Sequence, residues 1–383
     1  MIDYYKATKH LIPALFLTIF TSALAGDNSV PEWKTLPLSI PQEAIDRVMA
    51  MPPVAVAEGF EHRILVPTGS QLFDPFDFHV IDNNTFWVAD DAKGGAIYVV
   101  TTEGDISVQI KTRKHPPISL DVAPSSFGDN AGLIYTVAFA RPEKAGGWVL
   151  PNAVTRINPK TGAVDVVCFL PENERGEAGA GSFFARFGPE KSPFSGKLFI
   201  TAASNHTIYQ VSPDDQCRPF VTIDLEKQGS PRGIAFTPDG NTMLVGAAVP
   251  EPGNPAITRP GEGSILQISP EGKVSDTLFA KGFHEPGAMA FAPESFGDFS
   301  GQLFISDAGD WDNDIPPTEP VGSDGMVYRV TSKGEIIPVV QGLANPVAVA
   351  FIGDQLIVSD INGDFHVGQH KIPIGFIISI KPN

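Results

Sequence analysis

Apolar and polar positions alternate along most of this chain in short runs of five to seven residues, and Gly, Pro, Asn and Asp interrupt the runs. That period belongs to β-strands, not helices. One run recurs about every fifty residues as x-Pro-x-small-apolar-Ala-Phe: Ser230-Pro231-Arg232-Gly233-Ile234-Ala235-Phe236, Glu285-Pro286-Gly287-Ala288-Met289-Ala290-Phe291 and Asn345-Pro346-Val347-Ala348-Val349-Ala350-Phe351. Looser copies stand at Asp74-Pro75-Phe76-Asp77-Phe78-His79-Val80, Pro116-Pro117-Ile118-Ser119-Leu120-Asp121-Val122 and Gly181-Ser182-Phe183-Phe184-Ala185-Arg186-Phe187, the last with Ser in place of Pro. Six copies at this spacing predict an all-β, six-bladed β-propeller of four-stranded antiparallel blades.

Within blade 1 the second strand reads Thr85-Phe86-Trp87-Val88-Ala89-Asp90 and the third Ala96-Ile97-Tyr98-Val99-Val100. Blade 6 runs into the C-terminus without an outer strand of its own. The alternating run Phe60-Glu61-His62-Arg63-Ile64-Leu65-Val66 is placed to supply it, closing the ring and removing an exposed sheet edge. The predicted organisation is a leader at 1–25, an extension at 26–59 with one short helix over 38–55 that contains 45–51, and the propeller at 60–383. In four blades the loop between the second and third strands is long (139–152, 247–263, 308–325 and 361–373). All four open on the face where the x-Pro-x residues begin, so that face is read as a roofed pocket.

Composition supports this reading. The chain has 383 residues, 37 Gly and 35 Pro, which suits a turn-rich array. Lys6 and Lys9 precede an apolar run at 11–20 and then Ala23-Leu24-Ala25, the layout of a secretory signal cleaved after Ala25. This predicts a secreted or periplasmic protein without membrane insertion, since the apolar run is short for a span. With 27 Lys and Arg against 44 Asp and Glu, a net charge of −17, nucleic acid is disfavoured as a partner. A monomer acting on a small molecule is expected. Cys168 and Cys217 fall on the outermost strands of neighbouring blades, which fan apart at the rim, and this geometry argues against a bridge.

The repeat places Asp74, Asp77, His115, Ser182, Ser230, Arg232, His284, Glu285 and Asn345 around the mouth of the central channel. Asp74, Asp77, His115, Ser182, Ser230 and Asn345 are candidate ligand-binding groups. His284 and Glu285 form a candidate proton-handling pair, with Arg232 to steady a developing oxyanion. Two acidic loops suggest calcium: Asp307, Asp310 and Asp312 in one, and Asp360, Asn362 and Asp364 in the other, where alternating oxygens share one side of a turn. Neither is a full EF-hand loop; the twelfth position from Asp360 is Lys371. No G-x-S-x-G, H-E-x-x-H, P-loop or C-x-x-C motif occurs.

The strands Thr85 to Asp90 and Ala96 to Val100 resemble those of six-bladed propellers in the NHL-repeat and gluconolactonase (senescence-marker-protein) group. The resemblance implies a channel metal held by a Glu, an Asn and an Asp. Glu58-Gly59 matches the Glu-Gly of that group's early E-G-P-x-W phrase but lacks its Pro and Trp, which makes Glu58, Asp77 and Asn345 the expected ligands. A metal-assisted lactone or ester hydrolase follows as the expected activity, with a divalent ion, calcium, as cofactor. A second resemblance, to quinoprotein sugar dehydrogenases, rests on Ser295-Phe296-Gly297-Asp298-Phe299-Ser300-Gly301-Gln302-Leu303-Phe304-Ile305-Ser306-Asp307, with Trp311 and Tyr328-Arg329-Val330 behind it. It implies a quinone-dependent sugar dehydrogenase, although that group's Arg-Asn-Pro phrase reads Ala344-Asn345-Pro346 here. A non-catalytic binding propeller is the remaining alternative.

Overall fold

The computed structural model describes residues 54–90, 95–112, 117–137, 153–171, 182–252, 254–309, 324–361, 366–367, 370–371 and 374–383. The leader, the helix near 45–51, His115, Asp310, Asp312, Asn362 and Asp364 lie outside them.

The six inner phrases become six innermost strands, each leading outward through antiparallel neighbours. Blade 1 is built from Pro75–Val80, Thr85–Asp90, Ala96–Thr101 and Ile106–Lys111. Blade 2 follows with Ser119–Val122, Ile134–Val137, Ala153–Ile157 and Val164–Phe169, and blade 3 with Ser182–Phe187, Leu198–Ala202, Thr207–Val211 and Cys217–Thr222. Blade 4 uses Ser230–Phe236, Met243–Ala248, Gly263–Ile268 and Ala280–Phe283. Blade 5 uses Pro286–Phe291, Leu303–Asp307, Gly325–Val330 and Ile336–Leu343. Blade 6 takes Pro346–Ile352, Gln355–Asp360 and Phe376–Pro382 from the C-terminal end and Phe60–Val66 from the N-terminal end.

That last strand closes the ring in the predicted way, Phe60 pairing Pro382 and Ile64 pairing Ile378. Its first residue also joins blade 6 to blade 5. The Phe60 ring stacks on Phe299 at 4.4 Å and meets Phe304 edge-on at 6.4 Å. Ala55–Val56 adds a fifth strand outside blade 5, pairing Val340 and Gln341, which the repeat did not predict. Between blades 6 and 1 the seam depends on a missing side chain. A Cβ on Gly375 would lie 2.4 Å from Pro75 Cδ and 2.7 Å from the Phe73 carbonyl oxygen. Only glycine lets the blade 6 strand pass the blade 1 proline this closely.

The core lies between blades. Phe127, Tyr135 and Phe187 meet edge-to-face at 4.9 to 5.4 Å between blades 2 and 3, and Phe296 meets Phe304 and Phe351 at 5.4 and 4.8 Å between blades 5 and 6. Both sets hang from the same turn, Pro-x-Ser-Phe-Gly-Asp, which follows the inner strand in blades 2 and 5. Its glycines, Gly128 (φ 66°) and Gly297 (φ 64°), adopt the left-handed conformation that reverses the chain.

The cysteines correct the sequence reading. Cys168 and Cys217 are joined by a disulfide, with Cα atoms 6.4 Å apart. The outer strands of blades 2 and 3 do not fan apart at this height. The blade 2 strand bulges between Val166 and Cys168, and both cysteines pack against the cluster containing Tyr135, Leu198 and Tyr209. The bulge and the shared cluster hold the rims within bridging distance.

Candidate functional site

The residues before the inner prolines are set by one local device. Each inner proline of blades 1, 5 and 6 lies opposite an aspartate ending the second strand: Pro75 opposite Asp90, Pro286 opposite Asp307 and Pro346 opposite Asp360. Proline has no N–H, so the strand ladder cannot hold the two residues ahead of it. The aspartate does so instead. Asp90 accepts from the N–H groups of Phe73 and Asp74 at 2.8 and 3.3 Å, and Asp307 from those of His284 and Glu285 at 2.9 and 2.6 Å. Asp360 accepts from those of Ala344 and Asn345 at 2.7 and 2.9 Å. Thus Asp307 and Asp360, read from the sequence as calcium ligands, each accept two backbone N–H bonds. Burial pushes the Asp307 carboxyl above the ordinary range, against the two N–H groups that stabilise its charge.

The device presents Asp74, Glu285 and Asn345 at one level of the mouth. Glu285 is the best-defined of them. Its Oε1 accepts from Arg232 Nη2 at 3.3 Å and from the Thr258 hydroxyl at 2.9 Å, while Oε2 has no partner among the described residues. Its side chain is 11% exposed and that of Arg232 15%. Thr258 ends a small hairpin, Pro250–Glu251 with Asn254–Thr258, formed by the long insertion of blade 4. His284 Nε2 stands 3.2 Å from the Thr258 carbonyl oxygen. A carbonyl only accepts, so Nε2 carries the proton. His284 and Glu285 therefore both hold the hairpin over the interface of blades 4 and 5; of the four long loops read as a roof, this is the one that lies almost wholly within the described residues. Next to Glu285, in blade 6, Asn345 buries its Oδ1 without a partner among the described residues. A buried acceptor left open at a channel mouth points to a ligand or water there.

The remaining candidates are engaged in other ways. Ser230 donates to the Ala203 carbonyl at 2.9 Å and ties blade 4 to blade 3. Asp74 is buried at the mouth, and Ser182 opens the inner strand of blade 3. Asp77 lies deeper and is fully engaged. Arg186, which the sequence reading did not single out, forms a two-point pair with it at 2.6 and 2.7 Å, and Ser119 Oγ and the Leu120 N–H add bonds of 2.7 and 2.9 Å. The pair reaches from blade 1 to blade 3 over the inner strand of blade 2. Burial works against the Arg186 charge, but Asp77, with Asp121 nearby, outweighs it and raises the pKa of the guanidinium.

The donor set expected for a channel metal does not assemble. Glu58 is exposed beside the outermost strand of blade 6, Asp77 is held by Arg186, and only Asn345 stands open at the mouth. Among the described residues no group of three or more His, Cys, Asp or Glu side chains gathers in a way that could hold a metal ion. Glu58, Asp77 and Asn345 thus do not fit the ion that the resemblance implies.

No family model matches the chain, and no curated protein matches its sequence. Solved structures do match. An oxidoreductase (glucose dehydrogenase) of Thermus thermophilus superposes with a TM-score of 0.55 at 16% identity, over 84% of this chain and 100% of that one. The PQQ-bound aldose sugar dehydrogenase of Streptomyces coelicolor gives 0.55 at 13% identity, over 85% and 100%. A gluconolactonase structure gives 0.52 at 13% identity, over 86% and 94%. The chain has the six-bladed propeller fold in common with them. At these identities the likeness is one of architecture, on which many chemistries are built.

Proposed function

We propose that this propeller is an exported, monomeric enzyme whose upper channel mouth binds a small oxygen-rich molecule and hydrolyses a lactone or ester. The observation that carries the proposal is Glu285: Arg232 and Thr258 fix one carboxylate oxygen, and the other is left open beneath the blade 4 hairpin. A carboxylate held in this way can act as a general base. In the reaction, Glu285 takes a proton from water as the water oxygen attacks the carbonyl carbon. The ring or ester C–O bond then breaks, and the departing alkoxide receives the proton back. Arg232, beside Glu285, is the cation nearest the developing oxyanion, and Asn345 Oδ1 accepts from a substrate hydroxyl. The Lys6, Lys9 and Ala23-Leu24-Ala25 pattern supports export.

The test is a panel of five- and six-membered lactones and simple aryl esters assayed with the purified full chain and with Glu285→Gln. Turnover by the wild type, lost in a Glu285→Gln protein that melts normally, supports the reading. Equal turnover in both, or none on any substrate, overturns it. Dye-linked sugar oxidation that appears only on addition of a quinone would instead establish the dehydrogenase reading suggested by residues 295–307.

A further inference from the structure

The inner strands divide the channel into two unlike halves. At the sixth position of the repeated phrase, blades 1, 2 and 3 carry His79, Asp121 and Arg186, and blades 4, 5 and 6 carry Ala235, Ala290 and Ala350. Strand register confirms the equivalence, since these residues pair in order with Trp87, Tyr135, Phe199, Leu244, Phe304 and Ile357. One half of this layer is charged and the other is lined by methyl groups.

Arg186 is held on two sides and open on a third. Its Nη1 donates to Asp77 Oδ2 at 2.7 Å and to the Ala185 carbonyl at 2.9 Å, its Nη2 donates to Asp77 Oδ1 at 2.6 Å, and its plane lies over the Phe184 ring at 5.3 Å. A guanidinium has five N–H donors. The Nε–H and the adjacent second Nη2–H have no partner among the described residues, and the side chain is 20% exposed. These two donors form the side-on fork that matches a carboxylate. Asp121 lies beside it. Among the described residues its Oδ2 accepts only from the N–H of Phe187, the residue after Arg186, at 2.8 Å, and its Oδ1 accepts from Val122 N–H at 2.8 Å and stands 3.1 Å from His79 Nδ1. A carboxylate only accepts, so when the imidazole is neutral its proton is on Nδ1. That leaves Nε2 as an acceptor, and it has no partner among the described residues.

This layer therefore presents a rigid pair of donors next to two acceptors, Asp121 Oδ2 and His79 Nε2. Asp77, Asp121 and Arg186 together carry one negative charge, which disfavours a simple anion despite the open fork. A ligand carrying both charges fits. We propose that the charged half of the lumen, one level below the mouth, binds a small zwitterion of the α-amino acid type. Its carboxylate lies on the Nε and Nη2 edge of Arg186, its ammonium on Asp121 Oδ2 and His79 Nε2, and a short side chain faces the alanines. The site is distinct from Glu285 and does not depend on the hydrolase reading.

The test is calorimetric titration of the purified full chain with L-alanine, N-acetyl-L-alanine and L-alaninamide. The expected result is saturable binding of L-alanine, with both analogues at least about tenfold weaker because each leaves one charged group of the site unpaired. Arg186→Lys retains a cation for Asp77 but lacks the fork, and His79→Phe lacks the acceptor. Each is expected to weaken L-alanine binding by about tenfold or more. The His79 variant leaves the Asp77–Arg186 pair intact, so it remains informative if Arg186→Lys fails to fold. Absence of L-alanine binding at millimolar concentration would overturn the proposal, as would equal binding of either analogue or unchanged affinity in a folded His79→Phe variant.

Discussion

Replacing both cysteines by serine removes a link between the outer strands of blades 2 and 3 while leaving both ladders in place. The bridge closes a loop with a sequence separation of 49 residues. A loop of that length restricts the unfolded chain by about 14 cal/mol/K, or about 4 kcal/mol at 25 °C in the chain-entropy treatment. For a folded unit of roughly 330 residues, this corresponds to a melting temperature lower by about 6 °C. The assay is guanidinium denaturation of the oxidised protein, the reduced protein and the double serine variant, with midpoint and slope fitted separately. The midpoint should fall to the same extent in the reduced and serine forms. The slope should rise, because the unlinked chain exposes more surface on unfolding. A loss below about 1 kcal/mol in both forms would refute the reasoning, since the loop would then not be restricting the denatured state.

Three further variants probe the channel and the seams. Asp77→Ala leaves Arg186 without its carboxylate in the lumen and should cost about 3–5 kcal/mol in chemical denaturation, with part of the loss recovered in Asp77→Ala/Arg186→Met. Gly375→Ala drives a methyl group onto Pro75 where blade 6 meets blade 1, at an expected cost of about 1–3 kcal/mol, read as a lower melting temperature. Asp307 gives a pH signature. Its folded pKa is raised, so above the ordinary aspartate range the folded state still holds a proton that the unfolded chain has released. Stability therefore falls as pH rises from the unfolded value toward the folded one, and Asp307→Asn should flatten that part of the profile.

The inner phrase was legible because a fixed backbone task recurs in every blade. So was the closing strand, because a three-stranded last blade must find a fourth. The aspartates were legible as residues but not in their role. Asp307 and Asp360 stand in acidic loops that look like cation sites, and only their register opposite Pro286 and Pro346 shows them accepting from the N–H groups ahead of each proline. Asp90 ends the second strand of blade 1 in the same way, and that shared position was the usable signal. Arg186 was missed for a different reason. The repeat shows that it breaks the small-residue pattern, but the reach of a side chain over a neighbouring strand to Asp77 is a property of the closed ring. The disulfide was misjudged because a one-residue bulge at Cys168 is invisible to a period-two reading.

The central claim is that Glu285, held by Arg232 and Thr258, performs hydrolysis at the upper mouth without a channel metal on Glu58, Asp77 and Asn345. The most direct measurement is the initial rate on the best lactone of the panel before and after exhaustive chelation, for the wild type and for Glu285→Gln. The account predicts a rate that survives chelation and disappears in Glu285→Gln. A rate that vanishes on chelation and returns with added calcium, in wild type and Glu285→Gln alike, would contradict it.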